Sequence, residues 1–253
     1  PAAAEALEVP GFGDDPVGDT ASERAAGLLH KYQGRALLLL TGACAVHCRY
    51  CFRREFPYAG SVGTQRLRSA LEVIAEDPSI EEVILSGGDP LVLDDTRLGE
   101  LARALAGMPH LKRLRVTLPS RLTAALLDWL TGTRLAPVLV LHANHAQELS
   151  PDFQHALRPL RAAGVPLLNQ AVLLRGVNDS VDALAALSER LFECGVLPYY
   201  LHLLDRVRGA AHFEVPDSQA TALHEALLAR LPGYLMPKLV REIAGAASKR
   251  PVA

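Results

Sequence analysis

Three cysteines lie within eight residues of one another in the segment 44–54, which reads CAVHCRYCFRR. The spacing C-x3-C-x2-C lets three thiolates face one metal centre. A structural zinc ion normally takes four ligands, for which His47 is the nearby candidate, and a redox pair of Cys48 and Cys51 leaves Cys44 unexplained. A 4Fe-4S cluster held by three thiolates keeps one iron open for a small ligand. The spacing therefore favours the cluster, with zinc and unligated thiols as alternatives.

Further polar residues follow apolar runs elsewhere in the chain. They are SGGDP at 86–90, HANH at 142–145, the pair Asn169 and Gln170, and Asp205. Each group alone is weak evidence, because SGGDP also suits a tight turn and a histidine after a strand is often an ordinary hydrogen-bonded residue. Their shared position after predicted strands favours an enzyme.

The elements that must position these residues alternate along the chain. Apolar runs predict strands at 37–40, 83–85, 114–116, 138–141, 165–168 and 199–203. Leucine and alanine at three- and four-residue spacing predict helices near 65–76, 97–106, 123–130, 153–163, 181–194 and 217–231. Six βα units predict an α/β fold, a partial (β/α)6 TIM-like barrel with right-handed crossovers. We expect residues 31–253 to form this one domain after an irregular segment, 1–30. Loops after the strands of such barrels meet at one mouth, so the polar groups should share one site.

The composition limits the classes of function. The chain has 253 residues, of which 49% are hydrophobic and 21% are charged, and its formal net charge is −2. This balance gives no reason to expect binding to nucleic acid or to an anionic membrane. No apolar run reaches the roughly 18 residues of a membrane span, and the first residues lack the pattern of a signal peptide. Four cysteines, three of them clustered, predict a cytoplasmic protein rather than a disulfide framework. The missing initiator Met predicts that this is part of a longer chain.

Several blocks of the sequence resemble a known enzyme family. The C-x3-C-x2-C motif after the first predicted strand is similar to the signature of radical S-adenosylmethionine enzymes, and ILSGGDP resembles their glycine-rich stretch. The blocks TGACAVHCRYCFRREFPY, GVPLLNQAVLLRGVND, PYYLHLLDRVRGAAHF and GYLMPKLVREIAGAASKRP look like lysine 2,3-aminomutases. They look most like the bacterial subgroup that β-lysylates elongation factor P. The resemblance runs from about residue 30 to the end of the chain.

The resemblance implies a fold and two cofactor sites. It implies the partial barrel of radical S-adenosylmethionine enzymes, a 4Fe-4S cluster, S-adenosylmethionine, and an electron donor such as flavodoxin or ferredoxin. The cluster would be held by Cys44, Cys48 and Cys51. The residues implied for S-adenosylmethionine are Ser86, Gly87, Gly88, Asp89, His142 and Gln170.

Pyridoxal phosphate is the third group that the resemblance implies. Lys249, in the small-residue stretch AGAASKRP, matches the family's Schiff-base lysine. Lys31, Tyr32 and Arg35 match the family's contacts to the phosphate, for which cationic donors are needed. Without the resemblance, each of these residues would be read as a solvated surface side chain.

The resemblance also implies the substrate, L-lysine. Arg53 matches the arginine that binds the α-carboxylate, and Asp205 matches a carboxylate for the distal ammonium group. The second such position, an aspartate in the lysine mutases, is Glu242 here, and its extra methylene leaves the strictness of lysine selection open. The implied activity is that of an isomerase, which makes β-lysine from L-α-lysine for attachment to elongation factor P by its ligase. A radical enzyme without pyridoxal phosphate and a non-enzymatic zinc-binding interaction module are the alternatives.

The pattern departs from the family at one loop. Between Val116 and Thr117 the chain is shorter than the family pattern by about six residues, judged against the short loops usual in βα units. A loop containing Ser and Arg is expected there. The short third strand before this point favours residues missing from the chain.

Overall fold

One mixed sheet organises the computed structural model, which describes residues 3–117 and 121–252. Within these residues ten strands lie in the order in which they follow one another along the chain. Strands β3 to β9 run parallel to one another, whereas β1, β2 and β10 are antiparallel additions at the two edges. The strands are β1 (Glu23–Ala25), β2 (Leu28–Tyr32), β3 (Arg35–Thr41), β4 (Glu82–Gly87), β5 (Arg113–Thr117), β6 (Ala136–Leu141), β7 (Leu167–Val172), β8 (Leu197–His202), β9 (Lys238–Arg241) and β10 (Arg250–Pro251).

Helices connect the parallel strands and cover the outside of the sheet. They are α1 (Tyr58–Ser61), α2 (Thr64–Glu76), α3 (Asp95–Ala106), α4 (Ala124–Thr131), α5 (Pro151–Ala162), α6 (Val181–Glu193) and α7 (Asp217–Leu228). Their buried faces carry leucine and alanine, as in α6, where Leu184, Leu187 and Leu191 join the core shared with the strands. Because one stripe of each helix is apolar, the helix can bury it only against the sheet.

The sheet forms a partial barrel, as the alternation of strands and helices predicts. Among the described strands, β1 pairs only with β2 and β10 pairs only with β9, so the barrel is not closed. The six predicted βα units are confirmed, from β3 with α2 to β8 with α7, and β9 adds a further parallel strand that the apolar runs did not predict. The expectation of an irregular segment 1–30 was wrong in part. Residues 23–25 form β1 and 28–32 form β2, because Leu28 and Leu29 are buried against β3.

Strand β7 extends further than the apolar run 165–168 predicts. Asn169 and Gln170 lie inside the strand and not after it. Asn169 is buried there because its side-chain amide exchanges two hydrogen bonds with the backbone of Ala143, at 2.9 and 3.0 Å. A buried amide that is fully paired in this way is tolerated in a sheet.

Strand β5 runs through Val116 and Thr117 without interruption, and Thr117 pairs with Val140 of β6. The residues that follow, 118–120, which belong to the loop at which the family pattern is shortened, lie outside the described residues. None of the helices formed by the described residues is long and apolar enough to cross a membrane.

Candidate active site

A cavity of about 230 Å³ lies inside the partial barrel. Side chains at the carboxyl ends of the strands form one end of it, and the hairpin between β2 and β3 contributes Tyr32 and Arg35 at the other. Most of the residues predicted from the sequence line this cavity. These are Lys31, Tyr32, Arg35, Cys48, Cys51, Arg53, Ser86, Gly87, His142, Gln170, Asp205, Glu242 and Lys249. The exceptions are Cys44, Gly88 and Asp89, which do not line it.

The three clustered cysteines lie in the loop between β3 and α1. All three are partly buried and none is in a disulfide, and Cys48 and Cys51 face the cavity, whereas His47 is exposed. Burial raises the pKa of the thiols of Cys44 and Cys48, and nearby Cys51 raises both further. Within residues 3–117 and 121–252, no three His, Cys, Asp or Glu side chains stand close enough together to hold a metal ion. The loop thus carries the thiols that a cluster requires, and two of them face the cavity.

The glycine-rich end of β4 packs directly against the cysteine loop. At Gly88 a Cβ atom would lie 2.2 Å from the backbone oxygen of Ala43 and 3.0 Å from Sγ of Cys44, so only glycine fits there. The backbone N–H groups of Gly88 and Asp89 donate to Thr41 and Ala43 at 2.7 and 2.8 Å. The Asp89 carboxylate accepts from the backbone N–H of Leu91 at 2.9 Å. These contacts fix the cysteine loop relative to Ser86 and Gly87, which do reach the cavity.

One buried aspartate joins two cations of the cavity wall. Asp19 is 2% exposed, and its Oδ2 accepts a hydrogen bond of 2.6 Å from Nε of Arg53. Its Oδ1 lies 2.7 Å from Nζ of Lys31, in an ion pair outside hydrogen-bond geometry. Lys31 also donates to the backbone oxygen of Val17 at 2.6 Å. The substrate-carboxylate and phosphate candidates predicted from the sequence are therefore linked through a residue that the sequence did not single out.

Glu242 is the centre of a second group of contacts. Its carboxylate is ion-paired with Lys249, lies 3.4 Å from Lys31, and accepts a hydrogen bond of 2.7 Å from the hydroxyl of Tyr32. Burial acts to raise the pKa of Glu242, but the ion pairs and hydrogen bonds with Lys249, Tyr32 and Lys31 lower it to about 2. Burial and Glu242 together raise the pKa of the Tyr32 hydroxyl.

Asp205, on the loop after β8, has a raised pKa, in contrast to Glu242. Burial, and then the charge of Glu242, raise the pKa of Asp205 to about 7, against the opposing effect of Lys249 and Lys31. No ion pair within 4 Å forms between its side chain and the part of the chain that the structure describes. The cavity thus pairs one carboxylate that is ionised throughout the neutral range with a second that takes up or loses a proton near neutral pH.

Three buried nitrogen atoms in the cavity wall have no hydrogen-bond partner among the described residues: Nε2 of His142, Nε2 of His202 and Nε of Arg115. Burial, followed by the charge of Lys249, lowers the pKa of His142 to about 4, and the same two causes lower that of His202. Both imidazoles are therefore neutral near pH 7. Unpaired buried nitrogens are uncommon, and polar atoms of a bound ligand would satisfy them. On this test the cavity fits a cofactor with polar atoms at these positions.

Several residues of the site escape prediction from the sequence. Tyr200 contributes a ring 5.9 Å from Nζ of Lys249, and it stacks on Tyr199 with ring centroids 3.9 Å apart. Tyr50, between two of the cysteines, accepts a 2.5 Å hydrogen bond from the side-chain amide of Asn144. The motif HANH contains this asparagine but does not indicate its partner. Asp19 lies in a stretch whose composition indicates only a loop.

The chain is similar to known proteins over most of its length. The sequence profile of the Radical SAM superfamily matches residues 38–187, more than half of the chain. L-lysine 2,3-aminomutase of Escherichia coli K12 is 50% identical over 255 residues, covering 98% of this chain and 74% of the relative. The protein of the same name from Haemophilus influenzae is 46% identical, covering 97% of this chain and 75% of the relative.

Two solved structures share the fold at low identity. A radical SAM methyltransferase from Sphaerobacter thermophilus superimposes with a TM-score of 0.57 at 17% identity, over 85% of this chain and 68% of that one. Streptococcus suis SuiB bound to S-adenosylmethionine gives a TM-score of 0.59 at 14% identity, over 86% of this chain and 52% of that one. At these identities the likeness concerns the fold alone.

Proposed function

The chain belongs to the radical S-adenosylmethionine superfamily and, within it, to the L-lysine 2,3-aminomutase family, and we propose that its cavity carries out the 2,3-aminomutation of L-lysine with pyridoxal phosphate. As a family member it is an isomerase of the aminomutase type. Together the 4Fe-4S cluster, S-adenosylmethionine and pyridoxal phosphate supply a radical and an electrophile that carries the migrating nitrogen. One observation carries the proposal: an amine, a guanidinium and two carboxylates face a single cavity beside the cysteine loop.

Lys249 is the amine best placed to anchor pyridoxal phosphate. Of the four lysines, Lys112 and Lys238 are exposed, and only Lys31 and Lys249 line the cavity. Lys31 contacts Asp19, Glu242 and a backbone oxygen, whereas Glu242 is the one ion-pair partner of Lys249 among the described residues. An amine that forms a covalent bond must be free to move towards its partner, which favours Lys249. Lys31, with Tyr32 and Arg35, is left to receive the phosphate.

Arg53 and Asp205 would orient the substrate between them. We assign the α-carboxylate of lysine to the guanidinium of Arg53, which is 10% exposed and therefore acts at low dielectric. We assign the distal ammonium to Asp205, whose carboxylate has no ion-pair partner among the described side chains. The charge of Glu242 reaches Asp205, whose pKa it raises, so a second carboxylate would stand at the same end of the cavity. Two carboxylates at this end would repel an acidic substrate.

The remaining assignments rest on the sequence blocks that the chain shares with the β-lysylation subgroup. We infer that Cys44, Cys48 and Cys51 hold the cluster, and that Ser86 to Asp89, His142 and Gln170 surround S-adenosylmethionine. The unpaired Nε2 of His142 supports this assignment. We also infer an electron donor such as flavodoxin or ferredoxin in the cytoplasm, and a product that a partner ligase attaches to elongation factor P.

The activity is tested on the full chain, reconstituted with iron and sulfide in the absence of oxygen. With L-lysine, S-adenosylmethionine, pyridoxal phosphate and a chemical reductant, β-lysine should appear and can be quantified by chromatography. Lys249→Ala should abolish turnover and the visible absorbance of bound pyridoxal phosphate while leaving the iron content unchanged. Lys238→Ala, which changes an exposed lysine outside the cavity, should leave all three unchanged.

Two outcomes would contradict the proposal. Turnover that survives Lys249→Ala would indicate a radical enzyme that works without pyridoxal phosphate. A protein that binds zinc, incorporates no cluster and does not cleave S-adenosylmethionine would indicate an interaction module instead. The cellular role is tested separately by the mass of elongation factor P. Its modification should disappear when the gene is deleted, and should return with the wild-type chain but not with Lys249→Ala.

A further inference from the structure

Asp19 is a charged residue of the cavity wall, and the proposed reaction assigns no role to it. It precedes a short 3-10 turn, Thr20–Ser22, and the carboxylate of Asp15 holds this turn in place. Asp15 accepts from the backbone N–H groups of Asp19 and Thr20 at 2.7 and 3.0 Å. The backbone of Asp19 is thus held in place at the cavity wall. The free-energy cost of burying its carboxylate is offset by the ion pairs that its two oxygens form with Arg53 and Lys31.

The contacts of Arg53 determine which edge of its guanidinium is available. Asp19 occupies Nε, the hydroxyl of Ser86 accepts from Nη1 at 3.3 Å, and the ring of Phe52 lies 4.6 Å from the guanidinium carbon. Nη2 has no hydrogen-bond partner in the described parts of the chain. Because the guanidinium is a rigid fork of five donors, fixing Nε points the Nη edge in one direction. That edge is the one left for an incoming carboxylate.

The second oxygen of Asp19 ties this orientation to Lys31. Nζ of Lys31 lies 2.7 Å from Oδ1, so one carboxylate sets the positions of the two cations relative to each other. Without its charge, Arg53 and Lys31 would repel each other across the cavity wall, and the guanidinium would be free to rotate.

We propose that Asp19 is a positioning residue that aims Arg53 at the α-carboxylate of the substrate, an inference that rests on the proposed function. Asp19 itself does not touch the substrate. Its loss should therefore weaken the recognition of a carboxylate and leave the recognition of the rest of the ligand intact. If Asp19 instead competed with the substrate for Arg53, its loss would tighten carboxylate binding.

The test compares L-lysine with L-lysinamide, in which the carboxylate is replaced by a neutral carboxamide. Binding of each is measured by calorimetry on the reconstituted chain without reductant, so that no turnover occurs. Asp19→Asn, which keeps the shape but removes the charge, should weaken L-lysine binding by about tenfold or more and change L-lysinamide binding by less than about twofold. Under turnover, KM for L-lysine should rise more than kcat falls.

The matched control is Asp95→Asn. Asp95, on α3, is paired with Arg121 at 3.2 Å and does not line the cavity, so the change should leave the binding of both ligands unchanged. If Asp19→Asn does not retain its cofactors, Asp19→Glu is measured in the same way, and the same selective loss is expected because the charge is displaced.

The inference is overturned if Asp19→Asn leaves the binding of L-lysine unchanged or tightens it. It is also overturned if the variant weakens the binding of L-lysine and L-lysinamide equally. Failure of the proposed function has a different signature, because the wild-type chain would then bind no L-lysine and make no β-lysine.

Discussion

The affinity of the cavity for L-lysine should increase with pH across the neutral range, because Asp205 must be ionised to receive the distal ammonium. Burial, and then the charge of Glu242, raise the pKa of Asp205 to about 7. A carboxyl group with this pKa is ionised in about one tenth of the molecules at pH 6 and about nine tenths at pH 8. The distal ammonium of lysine stays protonated over this range. The dissociation constant should therefore fall about tenfold between pH 6 and pH 8.

The assay is calorimetric titration of the reconstituted chain with L-lysine, without reductant, at half-unit steps of pH. The ligand lacking the distal ammonium, L-norleucine, serves as the control, since its binding should not depend on the ionisation of Asp205. The variant Asp205→Asn should bind L-lysine weakly and with no pH dependence. Because the folded-state pKa of Asp205, about 7, lies above the ordinary value of 3.8, the fold loses stability as pH rises between these two values, and the loss is complete by pH 8. Asp205→Asn should accordingly raise the melting temperature at pH 8 more than at pH 5.

The reasoning would be refuted by a dissociation constant that is flat between pH 6 and pH 8, or that falls as the solution is made more acidic. A pH dependence that persists in Asp205→Asn would assign the titration to another group.

Two further predictions concern the cluster and its support. Cys51→Ala should reduce the iron bound after reconstitution to background. Cys194→Ala, which changes a cysteine in the buried core away from the loop, should retain the iron. Equal iron content in the two variants would contradict the assignment of the thiols. Gly88→Ala should lower both the melting temperature and the iron content. The new Cβ would lie 2.2 Å from the backbone oxygen of Ala43 and would displace the cysteine loop. Such overpacking should lower the free energy of unfolding by about 1–3 kcal/mol. Unchanged thermal unfolding of Gly88→Ala, measured by circular dichroism, would show that the loop adapts.

Local features of the sequence were enough to predict the class of fold and many of the candidate residues. The periods of apolar residues predicted α2 to α7 to within a few positions at their ends, because each element must bury one face. The cysteine spacing and the small-residue stretch around Lys249 were readable because their residues are neighbours in the chain. The extra strands at the edges were not predicted, since a short strand such as β10 is defined by its partner and not by its own composition.

The tertiary structure decided how the charges of the cavity are paired. Asp19 meets Arg53 across 34 positions of the chain, and Tyr32 meets Glu242 across 210. No local pattern encodes such pairs, because the folded sheet alone brings their elements together. The pKa difference between Asp205 and Glu242 arises in the same way. Both are ordinary carboxylates in the sequence, but Asp205 is buried with no ion pair to the described side chains, whereas Glu242 is surrounded by two lysines and a tyrosine.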